Sequence, residues 1–208
     1  APMIRLLTLA AAVLAAGPGP GSTPRSAADA DAREARHLKN IRQVTHGFAR
    51  AGEGYFRPDG KAVIFQASRR PDEDYQIYTL DLPPGAKPKL VSTGRGKCTC
   101  SYYHPDGKSI LFASTHLAPG EPAAAKKQGP AYSRSERYRW DFDPAMDIFR
   151  ADLDGSDLVR LTDAPGYDAE GSYSPDGKSI VFTSFRDGDG EIYVMDADGK
   201  NPRRITRA

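Results

Sequence analysis

The chain has 208 residues, 39% of them hydrophobic and 27% charged, with a formal net charge of +2. Charge so near zero excludes a strongly basic nucleic-acid binder and an acidic disordered chain, and two cysteines exclude a disulfide-built scaffold. Twenty glycines and 17 prolines without low complexity point to one domain with many tight turns and a core of its own.

Met3-Ile4-Arg5 supplies a short positive segment, and Leu6 to Ala16 follow as an apolar run broken by Thr8. Small residues then offer cleavage at Val13-x-Ala15 or Leu14-x-Ala16. Residues 1–16 thus have the layout of a secretory signal peptide. At 1.5 Å per residue the run covers about 16 Å, roughly half a bilayer core, so no membrane span is expected. Residues 17–40 read as a linker, Gly/Pro/Ser-rich from Pro18 to Ala28. Asp29 to Lys39 has acids early and bases late, the order that favours a short helix, but no apolar stripe.

Beyond the linker the chain repeats itself. Pro-Asp-Gly-Lys occurs at Pro58-Asp59-Gly60-Lys61, Pro105-Asp106-Gly107-Lys108 and Pro175-Asp176-Gly177-Lys178. Each copy is followed by an apolar run: Ala62-Val63-Ile64-Phe65, Ser109-Ile110-Leu111-Phe112 and Ser179-Ile180-Val181-Phe182. Gln76-Ile77-Tyr78, Asp147-Ile148-Phe149 and Glu191-Ile192-Tyr193 come next, and each unit closes on a short run ending in Ser92, Thr162 or Thr206. The turn aspartates are 47 and 70 residues apart, and an insertion of 26 in the second unit accounts for the difference. The underlying period is about 45 residues with four β-prone runs, which signals a propeller blade. Pro presets a turn, Asp bonds its own backbone and Gly accepts a left-handed conformation. Recurrence in every unit gives these residues a structural role, since a catalytic site is normally unique. Asp154-Gly155 and Asp198-Gly199 read as hairpin turns between the third and fourth strands.

The pattern from Tyr173 to Ser184, followed by Glu191-Ile192-Tyr193-Val194-Met195-Asp196, resembles the TolB-type, WD40-like β-propeller repeat. The likeness covers Ile41 to Thr206. It implies an all-β fold of four-stranded antiparallel blades, with three blades present, half of a six-bladed ring. The blades are expected at residues 48–92, 98–162 and 168–206, the second with its insertion at 117–143. Ile41 to Thr45 resembles an outer strand without its first three partners, the piece that in a ring completes the last blade. The strands it would join are expected from sequence after Ala208, and a homodimer of half-rings is the rival arrangement. The resemblance further implies a periplasmic scaffold that binds protein partners in the envelope; the residues themselves carry no catalytic constellation, no cofactor motif, no metal-ligand spacing and no basic patch for nucleic acid, so none of these is expected. Similar repeats also build the propeller of prolyl-oligopeptidase-type serine peptidases, where a hydrolase domain follows. A channel binding carbohydrate or peptide is a third reading.

Candidate partner-binding residues fall in two places. The insertion ends in Tyr132, Arg134, Arg137, Tyr138, Arg139 and Trp140, residue types that dominate interface energetics; a lid with Trp140 as local core is the alternative. Glu53 and Glu170 lie six residues before their turn aspartates, where the second unit has Cys100, and so belong near the mouth of the central channel. Cys98 and Cys100 leave a strained bridge, external pairing or free thiols open. Asp187 to Glu191 and Asp152 to Asp157 match the acid spacing of calcium loops only loosely and read as hairpin turns. No catalytic or metal-ligand motif occurs.

Overall fold

The computed structural model describes residues 35–118 and 142–207. The chain divides into two units, Ala1–Gln43 and Val44–Ala208. In the first, residues 35–37 form a turn, and no described residue of Asp29 to Lys39 is helical. The second unit folds as twelve strands: β1 (Arg50–Phe56), β2 (Ala62–Ser68), β3 (Gln76–Asp81), β4 (Lys89–Leu90), β5 (Cys98–Tyr103), β6 (Ser109–Ser114), β7 (Asp147–Asp152), β8 (Val159–Arg160), β9 (Asp168–Tyr173), β10 (Ser179–Ser184), β11 (Glu191–Asp196) and β12 (Arg203–Arg204). They form three four-stranded sheets, each in sequence order and antiparallel throughout. These are three propeller blades. β5 lies beside both β1 and β9, so the first strands form the inner wall and the two-residue strands β4, β8 and β12 the outer edges. Residues 41–45 are in no strand.

The apolar runs are continuous because blades stack face to face, and blade two is covered on both faces. Consecutive residues of a strand point to opposite sides. On one side of blade two, Ile110 and Phe112 join Ile64, Ile77 and Val91 of blade one. On the other, Leu111, Ile148 and Leu161 meet Ile180, Phe182, Tyr193 and Met195 of blade three. Backbone hydrogen bonds repeat the junction: the Cys98 amide donates to the Tyr75 carbonyl at 2.9 Å, and the Asp168 amide to that of Met146 at 2.9 Å.

The Pro-Asp-Gly turns are built alike. Gly60, Gly107 and Gly177 donate back to Arg57, His104 and Ser174 at 2.8 Å, each with φ near 70°. Each Asp carboxylate accepts the amide of the Lys two residues on, at 2.8 to 3.1 Å. The residue before each Pro completes the cap: Arg57 Nε donates to Asp59 at 2.9 Å, Ser174 Oγ to Asp176 at 2.6 Å, and His104 Nδ1 lies 2.7 Å from Asp106. The closing Ser and Thr residues staple each fourth strand to the third. Ser92, Thr162 and Thr206 accept the amides of Ile77, Ile148 and Ile192 at 2.8 to 2.9 Å. Their hydroxyls donate to the preceding Gln76, Asp147 and Glu191 side chains.

The connection from β6 to β7 spans residues 115–146, against 69–75 and 185–190 in the other blades. Tyr132, Arg134, Arg137, Tyr138, Arg139 and Trp140 lie outside the described residues. Its C-terminal end is fastened by Asp143, 3.1 Å from Lys97 Nζ, and by Phe142, whose ring packs on Phe185 at 4.5 Å and on Tyr167 at 5.2 Å.

Candidate functional site

The inner strands share a local distortion. Glu53, Cys100 and Glu170 occupy equivalent positions and all have left-handed backbone, with φ of 49°, 55° and 59°. Each falls where the first ladder of its blade slips register, between Gly52 and Tyr55, between Thr99 and Tyr102, and opposite Val181 to Thr183. Left-handed backbone costs a non-glycine residue about 1–2 kcal/mol, and a bulge re-aims the side chain it holds. Because the bulge recurs in each blade it belongs to the architecture. The side chain placed on it, glutamate in two blades and cysteine in the other, is not fixed by the bulge and is free to serve a site.

The three bulges come together at one cavity between the inner strands. Glu53, Cys100 and Glu170, with Tyr55, Tyr102 and Ser172, line a cavity of about 540 Å³. A second cavity of about 320 Å³ shares Glu53 and Cys100 and adds Arg50, Gln66, Tyr75, Lys97, Met146 and Tyr167. The Tyr55 and Tyr102 rings meet edge to face at 5.0 Å. Gln66 reaches across from blade one to accept the Cys100 amide at 3.2 Å, and Thr183 Oγ1 donates to Glu170 Oε2 at 2.8 Å.

Burial pushes the Cys100 thiol up to about 12, against a hydrogen bond from Thr99, and the Glu53 and Glu170 carboxylates raise it further. Burial likewise raises Tyr55, with Glu53 adding to it. The thiolate is the nucleophile and metal-binding form of cysteine, so at neutral pH Cys100 contributes a neutral, inert wall group. Both cysteines are free thiols. Cys98 Sγ lies 3.2 Å from Ser114 Oγ, while the bulge turns Cys100 away from the regular alternation that would have set the two side by side. Asp187 and Glu191 are bound by Arg204, and Asp187 also accepts the Tyr193 hydroxyl, so these acids serve the blade's own packing.

Glu53 and Glu170 therefore share one wall with Cys100. Sequence reasoning passed over Tyr55, Tyr102 and Gln66. The available signal was the common offset of two residues from the bulge position to each tyrosine, which only the bulge geometry makes meaningful.

A family model described as TolB beta propeller domain matches residues 140–208. An uncharacterised protein of Agrobacterium fabrum is 28% identical over 208 residues, covering 90% of this chain and 68% of its own. The Tol-Pal system protein TolB of Bordetella pertussis is 49% identical over 45 residues, about one blade, which is 22% of this chain and 10% of that protein. A solved TolB structure from Agrobacterium tumefaciens superposes with a TM-score of 0.54 at 26% identity, covering 73% of this chain and 48% of that one. The chain thus spans about half of the solved relative and a tenth of the Bordetella protein. With its blades in sequence order and residues 140–208 matched by that family model, the chain's described residues form three β-propeller blades similar to those of TolB-type propellers.

Proposed function

We infer that this protein is an exported, non-catalytic scaffold that binds a protein partner in the periplasm, using the channel wall of its propeller. The observation that carries this reading is the set of three equivalent bulges, which direct Glu53, Cys100 and Glu170 into one cavity beside two tyrosines. Such a wall offers polar and aromatic contacts while its thiol is held protonated, which suits recognition better than covalent chemistry. The Bordetella relative is named for the Tol-Pal system, which favours an envelope partner. The apolar run at residues 6–16 favours export. The end of the insertion, Tyr132 to Trp140, is rich in the arginine and aromatic residue types that dominate protein interfaces. A ring completed to six blades by further repeats is the architecture this reading assumes.

Expression in a Gram-negative host tests it. The mature chain is expected in the periplasmic fraction, beginning at Ala16 or Gly17 by mass spectrometry, and in-cell cross-linking with affinity isolation is expected to yield one stoichiometric envelope protein. A chain that keeps Met3 and stays in the cytosol, or one that isolates alone, contradicts the proposal.

A further inference from the structure

We propose that the channel wall is a receptor for a single arginine side chain of the partner, held between Glu53 and Glu170 and against the rings of Tyr55 and Tyr102. This rests on the scaffold reading above and names the group that the scaffold recognises.

Elsewhere in the protein, partly or fully buried acids are matched with arginine from their own blade: Asp147 with Arg160 at 2.6 Å, Asp168 with Arg186 at 3.0 Å and Glu191 with Arg204. The two glutamates of the cavity are exposed and carry no such arginine. Among the described residues Glu53 has no ion-pair partner, and Glu170 has only the Thr183 hydroxyl. No lining residue of the 540 Å³ cavity is basic. Tyr55 and Tyr102 supply the aromatic surface that attracts a cation. A planar guanidinium has five donors in a fixed fork and stacks on aromatic rings, whereas an ammonium offers a compact point charge. Two carboxylates and two rings around one cavity match the guanidinium. The volume falls in the range of small-ligand sites, about 300–1,000 Å³.

The test titrates the full 208-residue protein with N-acetyl-arginine methylamide, its citrulline counterpart and its lysine counterpart, following binding by calorimetry. The arginine compound is expected to bind saturably, at least tenfold more tightly than either of the others. Glu53→Gln and Glu170→Gln are each expected to weaken it about tenfold. Tyr55→Leu, at a half-exposed position that tolerates change, is expected to weaken it several-fold and serves as an independent readout should a glutamate variant misfold. Asp157→Asn, on the outer part of blade two, is expected to leave binding unchanged. Equal binding of citrulline, equal binding of lysine, or wild-type binding by both glutamine variants and Tyr55→Leu overturns the proposal. A partner that still cross-links at the channel when arginine does not bind refutes the receptor alone, while arginine binding without any isolated partner refutes the scaffold reading alone.

Discussion

At Gly155 and Gly199 two demands coincide. Both have φ near +86°, and a Cβ at Gly155 would meet the Val91 carbonyl oxygen at 2.4 Å, one at Gly199 that of Leu161 at 2.7 Å. Each hairpin therefore rests on the backbone of the blade before it. Gly85, in the equivalent turn of blade one, has φ of +85° but open space around it. Gly85→Ala is expected to cost about 1–2 kcal/mol, the left-handed strain alone, and Gly155→Ala about 1–3 kcal/mol more from overpacking; urea denaturation of the two variants measures the difference. The turn aspartates make a second prediction. Hydrogen bonds from Arg57, the Lys108 amide and Ser174 hold Asp59, Asp106 and Asp176 below the ordinary 3.8. The folded state then binds fewer protons than the unfolded one, so this stability is present above about pH 4 and lost as pH falls through the lowered values. Replacing all three by Asn is expected to lower the melting temperature at pH 7 and flatten its decline between pH 5 and pH 3. An unchanged decline contradicts this. At this scale the sequence aligned Glu53, Cys100 and Glu170, but no composition signal marks a glutamate or cysteine as left-handed. The bulge, and with it Tyr55 and Tyr102, became visible only in the backbone.

Elements were more legible. The runs from Ala62, Ser109 and Ser179 are apolar on consecutive residues, as suits blades that stack face to face, and each lies within its strand β2, β6 or β10. The closing Val-Ser, Leu-Thr and Ile-Thr pairs announced outer strands, yet those strands have only two residues. The hydroxyl explains why the pairs recur: it replaces a ladder bond by accepting the third strand's amide and donating to the side chain before it. Thr162 is buried, so Thr162→Val removes a bond to the Ile148 amide and another to Asp147. A loss of about 1–3 kcal/mol is expected, with Thr162→Ser recovering most of it; equal melting of Val and wild type would refute the staple. The residues of 41–45 match an outer strand in sequence but find no strand to join here, because pairing depends on what stands beside them.

For the whole molecule, the three repeats compare the two faces of each blade directly. Leu111 is fully buried and Leu161 is 8% exposed, while their counterparts in blade three, Val181 and Ile205, are 39% and 49% exposed. Blade three presents a face of the kind that blades one and two hide. The 208-residue chain by itself is expected to associate through this face, and Val181→Lys is expected to shift sedimentation velocity toward the monomer; an unaltered profile would show that the face takes no part. Repeat counting in the sequence revealed the blades and the long insertion, but the partner of an apolar face leaves no mark in the residues that form it. The central claim, that partners are bound on the channel side, is tested most directly by placing a photo-cross-linking amino acid singly at Tyr102 in the channel wall and at Lys200 on the outer β11–β12 hairpin, in cells. A discrete adduct from Tyr102 and none from Lys200 is the predicted result. The same adduct from Lys200, with none from Tyr102, would contradict it.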